Sequence, residues 1–216
     1  MRFLPLTGSA RGLSSVLLCS LSVVLSSFAS AATDPILVAA ASDLAPLSPE
    51  LTALYLKTYG NNLRLVPGSS GLLATQIRNG APFDVYLAAD LAFARALEAS
   101  GHLVKGSVTV YATGRLALFT KQTQFHSLEA LTGKDVKHIA IANPVHAPYG
   151  AAARELLRKR GLWDRLQPKM VYGENIRQAL QIAESGNAEA ALVAWSLVIG
   201  KGGILLPSAE IGRAHV

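Results

Sequence analysis

Cysteine is almost absent from this sequence. Its 216 residues include one cysteine, Cys19, which lies in an apolar N-terminal segment. The rest of the chain has no thiol, so a fold stapled by disulfide bonds is excluded. An ordinary hydrophobic core must therefore hold the protein together. Half of the residues are hydrophobic, which is enough for one large domain or two smaller lobes.

Charged residues are also scarce, at 16% of the chain, and the formal net charge is +6. Two of the positive charges, Arg2 and Arg11, belong to the N-terminal segment, which leaves +4 for the remainder. The lysines and arginines are scattered, apart from a basic run at 158–160 that we interpret as a solvated helix end. The sequence has no basic stripe with interleaved aromatic residues, so we expect no nucleic-acid partner.

The N-terminal segment has the pattern of a secretory signal. Its arginines are followed by an apolar, serine-rich run over 13–28 and then by the small residues Ala29, Ser30 and Ala31. We therefore predict a signal peptide over 1–31, cleaved after Ala31, and export to the periplasm. The alternative is a single membrane anchor, for which the run is short and unusually rich in serine.

The last residues of the sequence, 210–216, differ in origin from the rest on our interpretation. Residues 204–207 predict a strand and its exit, and the chain then ends in the seven residues 210–216. One choice of codons for those seven residues spells a common sequencing adapter. We therefore interpret 210–216 as an artefactual tail and give its His215 no role, the alternative being a genuine short C-terminus.

Between these ends, two kinds of apolar segment alternate along the chain. Short apolar runs predict strands, and longer segments with helical spacing predict helices that end at glycine. Strands are predicted at 36–41, 62–66, 83–88, 108–111, 116–120, 138–142, 169–172 and 190–195, and helices at 47–59, 72–79, 91–100, 148–160 and 175–184. This alternation predicts an α/β fold with mostly parallel sheets flanked by helices. We place a boundary between two lobes near Gly114.

Small, hydroxyl or glycine residues recur where a predicted strand gives way to a helix. These junctions read AAASDL at 39–44, GSSG at 68–71, NPVHAPYG at 143–150 and YGENI at 172–176. In open α/β sheets the carboxyl ends of the strands form the ligand crevice. Helix N-termini there present unpaired N–H groups and a partial positive charge. Converging junctions of this kind predict a pocket in which neutral donors bind a small, fully ionised oxyanion.

Each of these polar residues also has a purely structural interpretation. Ser42 could cap the first helix, and Tyr149 could be a packing aromatic. His146 has no second histidine or cysteine beside it, and a lone histidine is more often structural than a metal ligand. A hydrolase triad of Ser42, His146 and Asp84 lacks the G-x-S-x-G elbow. No Walker or G-x-G-x-x-G motif is present either.

Five segments of the chain follow one another in a recognisable order. They are AAASDL (39–44), GSSGLLATQIRNGAPFDVYLAAD (68–90), YATGRLALF (111–119), ANPVHAPYGAAARELL (142–157) and YGENIRQAL (172–180). Together they resemble the periplasmic molybdate-binding proteins of ABC importers, from about residue 36 to residue 207. The resemblance implies a class II periplasmic binding fold, with two α/β lobes, the anion between them and crossing strands as the hinge. It implies lobe 1 over 32–113 and lobe 2 with the start of a return over 114–209, and the first crossing at 111–119.

The resemblance also implies which residues meet the anion. Ser42 and Ser70 would supply hydroxyl and N–H donors, and Tyr149 and Ile176 would supply backbone N–H groups. The family often has a tyrosine at a fifth position, where this sequence has Ala194. Either the phenol of Tyr149 substitutes for it, or one hydrogen bond is lost, at a cost of about 1.5–3 kcal/mol for a charged acceptor.

The function that the resemblance implies is that of a monomeric solute-binding protein, with no cofactor and no enzymatic activity. It would capture molybdate or tungstate and deliver it to a membrane permease, with the molybdenum bound only as its oxyanion and without direct metal ligands. The alternatives are a binding protein for sulfate, phosphate or ferric ion, an exported serine hydrolase using Ser42 or Ser70, and an anion sensor. Members of the family continue past Pro207 and return to the first lobe, so the sequence as given predicts an exposed apolar face.

Overall fold

The computed structural model describes residues 34–207, so the predicted signal peptide (1–31) and tail (210–216) lie outside the described residues. The described strands are β1 (Ile36–Ala41), β2 (Leu63–Gly68), β3 (Val85–Leu87), β4 (Leu116–Thr120), β5 (Ile139–Ala142), β6 (Met170–Gly173), β7 (Ala190–Ala194) and β8 (Ile204–Leu205). The α-helices are α1 (Ser48–Tyr59), α2 (Ser70–Arg78), α3 (Leu91–Ala99), α4 (Pro148–Lys159), α5 (Trp163–Leu166) and α6 (Ile176–Glu184). Over 34–207, no helix combines the length and hydrophobicity needed to cross a bilayer.

The first sheet is parallel and has the strand order β2-β1-β3. β1 pairs with β2 along its whole length, from Ile36 opposite Leu63 to Ala41 opposite Gly68. Parallel neighbours require crossover connections, which α1 and α2 provide. α2 and α3 pack on one face of this sheet around a small core of Ala39, Leu73, Ala74, Ile77 and Leu97.

The second sheet has five strands in the order β6-β5-β7-β4-β8. β5 pairs in parallel with β6 and β7, whereas β4 runs antiparallel to both β7 and β8. This sheet and its helices contain the larger core, in which Leu118, Ile139, Leu156 and Leu192 are fully buried. The prediction of an α/β fold with mostly parallel sheets flanked by helices is confirmed. We refer to the first sheet with its flanking helices as lobe 1 and to the second sheet with its flanking helices as lobe 2.

One predicted strand is wrong. Residues 108–111 form no strand in the structure, although Val108, Thr109 and Tyr111 line a cleft beside β3 and α3. Val110 and Tyr111 are exposed. The β-branched and aromatic residues of this segment favour an extended chain, but a strand also needs a neighbour that accepts and donates its backbone hydrogen bonds. Of the predicted crossing at 111–119, only β4 is a strand, and it belongs to lobe 2.

The other face of the first sheet carries an apolar groove of about 470 Å³, between α1 and the strands. Its lining includes Leu51, Leu54 and Tyr55 from α1 and Leu63 and Leu65 from β2. Leu54 is 59% exposed. An open apolar surface of this kind favours association with another apolar surface.

Gly150 allows the first turn of α4 to pack directly against the end of β5. A Cβ atom at residue 150 would overlap the carbonyl oxygen of Ala142. We therefore predict that Gly150→Ala lowers the free energy of unfolding by about 1–3 kcal/mol, as overpacking does elsewhere. Urea denaturation followed by circular dichroism measures this loss.

Gly133→Ala is the matched control, because a Cβ there would meet only the carbonyl oxygen of Ala130, at 3.2 Å. It should cost clearly less than Gly150→Ala. Equal stability of Gly150→Ala and the unchanged protein would show that α4 does not approach β5 as described.

Candidate functional site

A narrow recess lies between the two lobes, at the carboxyl ends of four strands. The turn after β1, the start of α2 after β2, the start of α4 after β5 and the start of α6 after β6 all contribute to it. Its volume is about 10 Å³, and its lining consists of Ala41, Ser42, Asp43, Gly68, Ser69, Ser70, Ala89, Ala147, Pro148, Tyr149 and Ile176. No lysine or arginine is among these residues.

Four of the five residues predicted to meet the ligand line this recess, namely Ser42, Ser70, Tyr149 and Ile176. All four are buried. Ala194 does not line it: this residue ends β7, pairs with Leu116 of β4 and is fully buried in lobe 2. The structure therefore brings together residues from both lobes, without Ala194.

The hydroxyl groups of Ser42 and Ser70 are available as donors. Ser70 Oγ accepts a hydrogen bond from the backbone N–H of Ala89, at 3.0 Å. A hydroxyl that accepts one bond still has its own hydrogen to donate. Ser42 Oγ has no hydrogen-bond partner within residues 34–207. Ser42 does not cap α1, which begins six residues later at Ser48.

The backbone N–H groups of Tyr149 and Ile176 are also available as donors, because each lies at the start of a helix. Both residues lie in the first turn, where an N–H has no carbonyl partner inside the helix, and neither N–H finds another acceptor among the described residues. The side chain of Asn175 caps α6 by accepting from Arg177 N and Gln178 N, both at 3.1 Å. That cap leaves the N–H of Ile176 free. The helix N-termini also add a partial positive charge.

The two lobes touch beside the recess through His146. Its carbonyl oxygen accepts from the N–H of Gly71 at 2.9 Å and from the hydroxyl of Ser69 at 2.6 Å. Ser69 Oγ also lies 3.0 Å from His146 Nδ1. A Cβ at residue 71 would come within 2.6 Å of this carbonyl oxygen, so the absence of a side chain permits the approach.

A second contact between the lobes joins Tyr149 to Asp43. The phenol of Tyr149 donates to Asp43 Oδ2 at 3.0 Å, whereas the other oxygen, Oδ1, is buried without a partner. Burial raises the pKa of the Asp43 carboxyl, and the hydrogen bond from Tyr149 opposes part of that rise. The pKa of Tyr149 is raised as well, by its burial and by the nearby carboxyl. The phenol of Tyr149 thus already has an acceptor, and the group of this residue that is left to bind a ligand is its backbone N–H.

The structure does not assemble the hydrolase triad that the sequence left open. His146 lies beside Ser69 rather than beside Ser42 or Ser70. Asp84 Oδ2 accepts from the backbone N–H of Leu37 at 2.7 Å, away from the recess. Over the described range, no group of three or more histidine, cysteine, aspartate or glutamate residues could hold a metal ion.

Sequence reasoning missed the two pairs that join the lobes. Ser69 and His146 are 77 residues apart, and Asp43 and Tyr149 are 106 residues apart. No local pattern connects residues at such distances. The one signal in the sequence was that all four polar residues stand at strand-to-helix junctions, where side chains from different elements converge.

Comparison with known proteins identifies the family. The sequence model of the bacterial extracellular solute-binding proteins matches residues 36–212. The molybdate-binding protein ModA of Rhodobacter capsulatus is 38% identical over 185 residues, which cover 85% of this chain and 73% of that protein. The molybdate-binding protein ModA of Azotobacter vinelandii is 38% identical over 167 residues, which cover 76% of this chain and 66% of that protein.

Solved structures agree with these relatives. The periplasmic molybdate-binding protein of Azotobacter vinelandii superimposes with a TM-score of 0.77 at 29% identity, covering 83% of this chain and 82% of that one. The sulfate-binding protein SubI of Mycobacterium tuberculosis has a TM-score of 0.57 at 13% identity, over 78% of this chain and 68% of that one, and so shares the fold. The chain therefore belongs to the bacterial extracellular solute-binding protein family, and within it to the molybdate-binding proteins.

Proposed function

We propose that this protein binds molybdate, or the similarly sized tungstate, in the recess between its lobes and delivers it to an ABC importer. Family membership and the relatives named as molybdate-binding proteins support this function. The observation that carries it is the set of unpaired neutral donors that both lobes contribute to one recess: the hydroxyls of Ser42 and Ser70 and the N–H groups of Tyr149 and Ile176.

The chemistry of these donors suits a tetrahedral oxyanion. A fully ionised oxyanion offers only acceptors, and hydroxyl and N–H groups can satisfy them without a paired cation. The N-termini of α2, α4 and α6 supply partial positive charge in place of lysine or arginine. Sulfate is smaller than molybdate, so a pocket fitted to molybdate would leave donors unpaired around sulfate and reject it.

Binding requires the lobes to move. A recess of about 10 Å³ is smaller than an anion of four oxygens needs. The contacts of Ser69 and Gly71 with His146 must therefore lengthen for entry, and they re-form over the bound anion only when the side chains that line the recess have moved outward to make room for it. This is hinge closure, in which the ligand stabilises the closed arrangement by touching both lobes.

The remaining parts of the proposal rest on the resemblance to the molybdate-binding proteins. The protein would be a periplasmic monomer without a cofactor or enzymatic activity, and its partner would be the membrane permease of the importer. The lobe boundary would lie near Gly114, and Ala194 would contribute no hydrogen bond to the anion, because it lies in the core of lobe 2. A serine hydrolase has less support, because His146 contacts neither Ser42 nor Ser70.

Removal of both serine hydroxyls tests the site. Each hydrogen bond to a charged ligand is worth about 1.5–3 kcal/mol, so the double variant Ser42→Ala, Ser70→Ala should weaken molybdate binding by at least about 100-fold. Isothermal titration calorimetry of the purified protein, with excess sulfate as a competitor, measures both affinity and selectivity.

Ser185→Ala is the matched control, because Ser185 is exposed and donates only to the carbonyl oxygen of Ile182. It should bind molybdate as the unchanged protein does. Unchanged affinity in the double variant would refute the roles given to Ser42 and Ser70.

Gly71→Ala tests lobe closure. The added methyl would collide with the carbonyl oxygen of His146, which belongs to the other lobe. We expect at least about tenfold weaker molybdate binding, since a 1.4 kcal/mol penalty on the closed arrangement has that effect. Small-angle X-ray scattering with molybdate should show a larger radius of gyration than for the unchanged protein. Tight binding by Gly71→Ala would show that the contact with His146 is not part of the bound state.

A further inference from the structure

Among the ionisable side chains that line the recess, Asp43 is the one with a polar atom that makes no hydrogen bond. Its Oδ2 accepts from Tyr149, and its Oδ1 is buried and has no partner among the described residues. Asp43 follows Ser42 directly and lines the same recess as the four unpaired donors. A buried polar atom without a partner is costly, and in a binding site it points to a group that arrives with the ligand.

A carboxylate is an unfavourable neighbour for an anion. Like charges at close range repel strongly where water is excluded. A protonated carboxyl has the opposite effect, because its O–H is a donor. We propose that Asp43 takes up a proton when the anion binds and that its Oδ1–H then donates a hydrogen bond to an oxygen of the anion. This inference rests on the proposed function and makes the protein bind an oxyanion and a proton together.

The other titratable groups near Asp43 do not supply a compensating positive charge. Tyr149 of lobe 2 donates to its Oδ2, and Tyr111 and Arg115 line a neighbouring cleft together with Asp43. Glu174 and Arg177 line an outer cleft with Ser42. Within residues 34–207, Asp43 forms no ion pair. The carboxyl therefore has no cation that would keep it ionised beside a dianion.

The sign of the pH dependence follows from linkage. Burial already raises the pKa of Asp43 in the free protein, and a bound dianion would raise it further. Above the pKa of the free protein and below that of the complex, binding takes up one proton. Affinity for a permanently ionised anion then falls by about tenfold for each unit of rising pH.

Calorimetric titration with molybdate from about pH 6 to about pH 9 tests the inference. At each pH, two buffers of different ionisation enthalpy give the number of protons taken up. The unchanged protein should show uptake of up to one proton and an affinity that falls by at least about tenfold over the range. Asp43→Asn, whose amide both accepts from Tyr149 and donates to the anion, should bind with constant affinity and no uptake. Asp135→Asn, at an exposed position, should behave as the unchanged protein does.

Four results would contradict the inference. Equal pH dependence of the unchanged protein and Asp43→Asn, or no proton uptake by the unchanged protein, would overturn it and leave the proposed function intact. Failure of a folded Asp43→Asn to bind, where the unchanged protein binds, would show that an ionised carboxylate is needed. Absence of molybdate and tungstate binding by every variant at every pH would overturn the proposed function together with this inference.

The variant Tyr149→Phe tests the inference in a second way, through the pH at which the affinity for molybdate begins to fall. The phenol's hydrogen bond favours the ionised carboxyl, so its loss should raise the pKa of Asp43. The fall in molybdate affinity should then begin at a higher pH than in the unchanged protein. A shift to lower pH, or none, would contradict the coupling between Asp43 and Tyr149.

Discussion

The site depends on the constraint that parallel strands end at a common edge of their sheet. β1 and β2 end side by side in lobe 1, and β5 and β6 end side by side in lobe 2. The helices α2, α4 and α6 begin close to the ends of β2, β5 and β6, so their N-terminal turns gather at the same edge. When the two edges face each other, donors from four chain segments meet in one recess. Sheet topology thus brings the backbone donors of Tyr149 and Ile176 to the place where the hydroxyls of Ser42 and Ser70 also lie.

Charge decides what the recess can hold. Its lining has several neutral donors, no cation and one buried carboxyl, Asp43. A dianion beside an ionised Asp43 would face repulsion, whereas a dianion beside a protonated Asp43 would find one more donor. The phenol of Tyr149 links this carboxyl to the other lobe, so the protonation of Asp43 and the closure of the lobes act on the same contact.

The sequence predicted most of the elements, because hydrophobic periodicity and glycine or proline boundaries are local properties. Asp90 caps α3, as its position before the predicted helix at 91–100 indicates, whereas Asn175, which the prediction placed inside the helix at 175–184, is the cap of α6. The strand predicted at 108–111 is wrong, because a strand requires a neighbouring strand to pair with, which the local sequence does not reveal. Ser42, Ser70, Tyr149 and Ile176 came from the family resemblance and meet in the recess, whereas the links between Asp43 and Tyr149 and between Ser69 and His146 depend on how the two lobes approach each other.

The central claim is that the recess between the lobes is where the oxyanion binds. A crystal structure of the protein grown with molybdate, with diffraction collected at the molybdenum absorption edge, tests it most directly. The account predicts one strong anomalous peak between the lobes, with anion oxygens within hydrogen-bonding distance of Ser42 Oγ, Ser70 Oγ and the backbone nitrogens of Tyr149 and Ile176. A peak elsewhere on the molecule, or one whose anion touches a single lobe, would contradict it.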